Sequence, residues 1–326
     1  MNQLYPLKFE PIIHDKIWGG QKLHEILNKS TATDKAGESW EISGVDGSIS
    51  VVSNGFLEGN NLEELIEVYM DDLVGERIFE QFGHRFPLLI KFIDANDKLS
   101  IQVHPNDALA KKRHNSFGKT EMWYIIQAEK GAELISGFNR EIDKETYFEY
   151  LKNKNLEAIL NREPVKEGDV FFLPAGRVHA IGSGVLLAEI QQTADVTYRI
   201  YDFDRRNENG DFRELHTDLA VDAIDYNYYR NYRTNYISEE NQPSELISCN
   251  YFTTNMLHLS ESYIKNNAML DSFVIYICVD GSGTILSEGI EEVSLKKGET
   301  LLVPASVIHY TIQPVGSIKL LEVYID

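Results

Sequence analysis

One segment of this chain occurs twice without a gap. Gly168-Asp169-Val170-Phe171-Phe172-Leu173-Pro174-Ala175-Gly176-Arg177-Val178-His179 is echoed by Gly298-Glu299-Thr300-Leu301-Leu302-Val303-Pro304-Ala305-Ser306-Val307-Ile308-His309. Gly, Pro-Ala and His keep their spacing in both copies. This is expected where a glycine turn launches a strand, a Pro-Ala corner ends it, and His lies on the next strand. The stretches ahead of them also correspond, Tyr124 to Gly131 with Tyr276 to Gly281. A repeated unit of this kind constrains the chain to two similar β-lobes. Short β-branched and aromatic runs bounded by Gly, Asn, Asp or Pro, at 40–42, 86–93, 133–135 and 186–190, predict a mainly β fold. Helical spacing is confined to 62–82, the stretch after Pro105 through 113, and 144–160, predicted as helices packed on or between sheets. A polar turn at 207–211 and a Tyr- and Asn-rich stretch of weak periodicity at 226–243 place the main boundary between residues 1–225 and 226–326.

The two copies differ in what surrounds the shared His. Gln102 and His104 are two apart in a strand-like run, so both side chains leave one face of the sheet. Glu121 opens a second β-rich run, and His179 follows the Pro-Ala corner. Gln102, His104, Glu121 and His179 are therefore four candidate metal ligands, each starting from a separate rigid segment or sharing one face of it. The second copy has no partner for Gln102, His104 or Glu121, which leaves His309 alone. One lobe is expected to carry metal and the other to be structural.

Charge bears on partners. Acidic residues number 51 against 31 basic, a formal net charge of -20. Such a chain repels nucleic acid and anionic membranes at long range, while a metal ion and a few Lys or Arg reverse the field locally for a small anion. At 43% hydrophobic content, 326 residues supply ample core. The two cysteines, Cys249 and Cys278, lie in apolar β-like contexts and are expected to be free, buried thiols of a reducing compartment. The N-terminal residues lack a basic region followed by an apolar one, and no apolar run approaches the roughly 20 residues that span a bilayer. A cytoplasmic protein is expected. Gly281-Ser282-Gly283 lacks the Lys and the strand-to-helix context of a phosphate loop and is predicted as a hairpin turn.

Gly168, Pro174, Gly176 and His179 resemble the second motif of the cupin superfamily, whose first motif usually carries His-x-His where this chain has Gln102-x-His104. Ile101 to Pro105, Lys119 to Trp123 and Gln192 to Asp202 together resemble type I mannose-6-phosphate isomerases. So do Ile17 to Gly20, Glu38 to Ser43, Asp204 to Arg206 and Arg213 to His216, in ordered blocks over roughly residues 5 to 220. The spacing between Glu121 and His179 leaves room for a small helical element only, as in the compact bacterial members. In some longer members a His precedes the Lys of the Lys-x-Glu motif; here that position is Gly118.

The resemblance implies two cupin-type jelly-roll barrels with a few added helices, and one Zn²⁺ per chain on the four ligands. It implies aldose–ketose interconversion of D-mannose 6-phosphate and D-fructose 6-phosphate through a cis-enediol. Arg199 would lie beside the metal, where its fixed fork suits an enediolate. Lys119, two residues before Glu121, would face the site to bind substrate oxygens or transfer a proton. Asp195, four residues before Arg199, would orient it or shuttle protons. Lys91 and Ser100 would meet the phosphate, and Glu41, Glu189 and Trp18 would line the cleft. The partner is thus a small phosphosugar, and a monomer or weak homodimer is expected. Two other readings stay open: a cupin oxygenase using Fe²⁺ or Mn²⁺, which usually wants more His, and a sugar-phosphate-binding cupin without turnover.

Overall fold

The computed structural model describes residues 3–206 and 209–326, and every paired strand among them is antiparallel. Three sheets organise the chain. The first runs Ile12–Gly20, Ala36–Val45, Leu88–Ala95, Val185–Gln192, Glu121–Ala128, Val170–Leu173 and Arg233–Thr234, with Ser48–Ile49 attached to Ala36–Val45. The second runs Tyr198–Tyr201, Ile101–Val103, His179–Ile181, Glu133–Phe138 and Leu160–Pro164. The third is made of strands between Pro243 and Tyr324.

Both faces of the first sheet are covered, and its strands Leu88–Ala95 and Val185–Gln192 are buried along their whole length, with alternate side chains serving opposite faces. In Leu88–Ala95, Leu88, Ile90 and Phe92 join an apolar cluster with Ile275, Leu302 and Leu321 of the third sheet and Phe273 just ahead of it. Their neighbours Ile93 and Ala95 face inward, where Trp123, Phe171, Leu187, Leu134 and Ile181 close the barrel between the first and second sheets. Val185–Gln192 and Glu121–Ala128 divide in the same way: Ile190 and Met122 point to the third sheet, Leu187 and Trp123 into the barrel. Lys91, Glu189 and Glu121 share the inward phase. The first sheet is thus a wall with chemistry on one side and the lobe junction on the other.

The repeat is visible in three dimensions. Gly168 and Gly298 have φ of 84° and 86°, a left-handed conformation that only glycine adopts without strain, and each launches its strand, Val170–Leu173 or Thr300–Val303. His179 is buried, whereas His309 is exposed and the next residue, Tyr310, turns inward. Tyr310 belongs to a polar network filling the second barrel: Tyr276 Oη bonds Tyr310 Oη at 2.8 Å and donates to Glu322 at 2.9 Å. Lys265 Nζ lies 2.6 Å from the same Glu322 carboxylate, and Asn255 donates to its other oxygen at 3.0 Å.

Several elements depart from expectation. The helical run 62–82 is three pieces, Leu62–Tyr69, Asp71–Val74 and Glu76–Phe82. The breaks fall at Met70 and Gly75, both at positive φ, and a side chain at Gly75 would strike the Asp271 backbone at 2.6 Å. The run 144–160 forms a helix only over Lys144–Lys152, capped by Asp143; a left-handed Lys154 then turns the chain into Leu156–Ile159 and a strand from Leu160. Asn106 caps the helix Asp107–His114, which runs one residue past the predicted 106–113. Gly281-Ser282-Gly283 is no hairpin turn but an irregularity within Val274–Ser287, where a side chain at Gly281 would meet Ser317 O at 2.0 Å. Both cysteines are free, but only Cys278 is buried; Cys249 is half-buried. Of the turn at 207–211, residues 207 and 208 lie outside the described residues. Among the described residues no helix is long and apolar enough to cross a membrane.

Candidate active site

His104, Glu121 and His179 come together at the inner face of the first barrel, all buried, with ligand atoms within 4.8 Å of one another. In the second sheet His179 sits opposite Gln102, and Gln102 opposite Arg199, so three neighbouring strands deliver adjacent side chains; His104 directly follows Ile101–Val103, and Glu121 opens a strand of the first sheet. Each imidazole is oriented from behind. His104 Nδ1 lies 2.9 Å from Val196 O and His179 Nδ1 lies 2.8 Å from Arg177 O. A carbonyl can only accept, so both Nδ1 atoms carry the proton and both Nε2 lone pairs face the centre. There they meet Glu121, at 3.5 Å from His104 Nε2 and 3.2 Å from His179 Nε2.

His104 Nε2 and both Glu121 oxygens are buried without a hydrogen-bond partner. Converging lone pairs repel unless a cation stands among them, so this donor set fits a divalent metal. Burial holds the His179 imidazole down at about 4 and that of His104 well below its ordinary range. Burial, with Glu189 nearby, pushes the Glu121 carboxyl up. The Gln102 amide lies 3.3 Å from His179 Nε2. A half-turn about its last side-chain bond exchanges nitrogen for oxygen and presents a fourth donor.

Beside this cluster lies a cavity of about 300 Å³. Among the sequence-predicted residues, Gln102, Lys119, Asp195, Arg199, Lys91, Ser100, Glu189 and Trp18 all line it. Lys119 Nζ lies 3.6 Å from Glu121. Arg199 donates from one terminal nitrogen to Glu214 O at 2.8 Å, while its buried Nε has no partner. Lys91 is placed between two carboxylates, Glu189 at 3.3 Å and Glu38 at 3.9 Å. Burial opposes charge on Lys91, but Glu189 and Glu38 outweigh it and raise the ammonium's pKa. Glu189 is further held by Trp123 Nε1 at 2.7 Å.

Glu41 is not brought to this cavity. Within Ala36–Val45, Glu38 faces the cavity and Glu41 has the opposite phase, bonding Lys29 Nζ at 2.6 Å and Thr300 Oγ1 at 3.5 Å near the third sheet. Glu38 takes the inward place, donated to by Trp40 Nε1 at 2.8 Å. Burial works against its ionisation, but Lys91 and Lys16 prevail and hold it at about 2. Lys16, Thr197 and Arg213 also line the cavity and went unassigned from the sequence. Glu38 had no decisive signal, because alternation along Ala36–Val45 does not say which face looks inward, and Arg213 had none because its placement depends on Asp202, whose carboxylate it grips at 2.6 and 2.7 Å.

A barrel of two antiparallel sheets holding two imidazoles and a carboxylate on its inner face defines a cupin with a metal-ligand set. The comparisons with known proteins resolve this further. The family model "Phosphomannose isomerase type I, catalytic domain" matches residues 6–136, and "Mannose-6-phosphate isomerase, cupin domain" matches residues 243–325. Mannose-6-phosphate isomerase of Streptococcus mutans is 35% identical over 307 residues, 93% of each chain. Mannose-6-phosphate isomerase ManA of Bacillus subtilis is 37% identical over 303 residues, 92% of this chain and 93% of that one. The crystal structure of mannose 6-phosphate isomerase from Bacillus subtilis superposes with a TM-score of 0.89 at 33% identity, covering 99% of this chain and 100% of that one. The chain belongs to the type I mannose-6-phosphate isomerase family, whose members are aldose–ketose isomerases.

Proposed function

We propose that the protein interconverts D-mannose 6-phosphate and D-fructose 6-phosphate through a cis-enediol, with one Zn²⁺ per chain on Gln102, His104, Glu121 and His179. The observation that carries this reading is the convergence of orphaned, buried lone pairs of His104 and Glu121 beside a cavity lined by Gln102, Lys119 and Arg199. When bound, the divalent ion supplies positive charge toward sugar oxygens. Arg199 then directs its free N–H groups at O1 and O2 and stabilises the charge that develops when the C2 proton leaves. Lys119 binds the same oxygens or carries the proton between C2 and C1, and Asp195 orients Arg199 or shares that transfer. Ser100 and Lys91 receive the phosphate end together with Arg213, which lines the same cavity; Trp18, Glu189 and Glu38 bound the sugar.

Residues 1–225 form the metal-bearing lobe in this reading and 226–326 the lobe without metal. The two free thiols suit a cytoplasmic enzyme, acting as a monomer or weak homodimer. Zinc-loaded protein given mannose 6-phosphate is expected to yield fructose 6-phosphate with exchange of the C2 hydrogen. Metal bound at one equivalent with no product and no exchange would overturn the assignment.

A further inference from the structure

A hydrogen bond from the lobe without metal reaches the segment that leads into the strand Glu121–Ala128. Tyr251, half-buried, donates from its hydroxyl to Asp107 Oδ2 at 2.6 Å. Asp107 Oδ1 in turn accepts from Gly118 N at 2.8 Å and from Gln192 Nε2 at 3.0 Å. The other end of the Gln192 amide accepts from Thr120 N at 2.9 Å, and the Gln192 N–H bonds Thr120 O at 3.1 Å. The amides flanking Lys119 on both sides therefore hang on one carboxylate, while Lys119 N bonds Pro105 O at 3.1 Å. The next residue is the metal ligand Glu121.

Space at the hub is filled. A side chain on Gly118 would fall 2.5 Å from Asp107 N and 3.0 Å from Asp107 Oδ1, so Asp107 occupies the room that any side chain at 118 would need. The Gln192 amide has one workable orientation, because turned over it would set its NH₂ against the Thr120 N–H. The Asp107 carboxylate has no such internal constraint. Its second oxygen is fixed from outside, by Tyr251.

We infer that Tyr251 is a positioning residue for the isomerisation: through Asp107 and Gln192 it sets the backbone of 118–120 and hence where Lys119 points. This rests on the isomerase reading, in which Lys119 meets the substrate. A lysine moved by a fraction of an ångström loses rate steeply, of the order of 10²-fold per ångström.

The test is Tyr251→Phe in the full-length zinc-loaded chain, which keeps the ring and removes only the hydroxyl. We expect kcat/KM for mannose 6-phosphate to fall about tenfold at unchanged zinc content. In a Lys119→Ala background the same substitution should have no further effect, because the residue being positioned is gone. Hydrogen exchange of the full chain should show faster exchange at Gly118 and Thr120. Equal losses with and without Lys119 would make Tyr251 merely structural and overturn the inference. So would unchanged exchange at both amides, a readout that stands even if the wild type fails to isomerise the sugar and the parent assignment falls on its own.

Discussion

Arg199 is the residue on which the proposed chemistry most depends and on which metal binding should not depend. Its side chain lines the cavity but contributes nothing to the His104, Glu121 and His179 cluster. Arg199→Ala should therefore keep full zinc content and the circular dichroism of the wild type while kcat drops by about 10²-fold or more, the usual loss for a donor aimed at developing charge. Loss of zinc instead would move Arg199 out of that role. Glu121 makes a second expectation. Its carboxyl is raised by burial and by Glu189, whereas both histidines are pushed down and stay neutral. Metal uptake should thus expel a proton from Glu121, and affinity should weaken as pH falls through the raised value. Calorimetry in buffers of different ionisation enthalpy reads this directly; an enthalpy independent of buffer would contradict it. In the metal-free protein the same shift has the opposite sign for the fold, which loses stability as pH rises through that value and the buried carboxylate ionises. Much of the site was legible at this scale because Gln102, His104 and Lys119, Glu121 lie two apart. Glu41 misled because period-two alternation tells which residues share a face but not which face looks inward.

Elements were legible where one local signal dominates. Asn106 heads a short helix and Gly168 heads a strand, and both signals are contained in a few neighbouring residues. The long helix expected at 62–82 failed because its breaks answer to a distant segment: Gly75 is pressed by the backbone of Asp271. The same Asp271 caps the following helix, accepting from Glu76 N at 2.7 Å and Arg77 N at 2.9 Å. No pattern within 62–82 announces a cap supplied from nearly two hundred residues away. Asp271→Ala should lower stability by about 1 kcal/mol, seen as a shift in urea midpoint at constant slope. A shift indistinguishable from zero would mean that solvent caps this helix equally well.

At the scale of the molecule, the apolar cluster between the first and third sheets belongs to neither lobe alone. A chain ended at residue 242 would leave Ile90, Phe92, Met122 and Ile190 without their partners and should aggregate; a monodisperse monomer on gel filtration would show that the first lobe stands by itself. The second barrel holds its own polar centre with an internal cation, the Lys265 ammonium against a fully buried Glu322. Lys265→Met strands that carboxylate and should cost about 3–5 kcal/mol in denaturant unfolding. The repeat foretold two related barrels; that the second would exchange a metal for a lysine among tyrosines depends on strands far apart in sequence.

The wall between sugar and lobe junction also sets what length changes the chain tolerates. Along Val185–Gln192, even and odd positions serve different compartments, and the strand is clasped on both edges by Leu88–Ala95 and Glu121–Ala128. A single inserted or deleted residue there works like a frameshift: Glu189 would be driven into the grease between the lobes and Ile190 into the sugar cavity. Indels in this lineage should accordingly collect in connecting loops, and the three central strands should keep their residue count even where their identities drift.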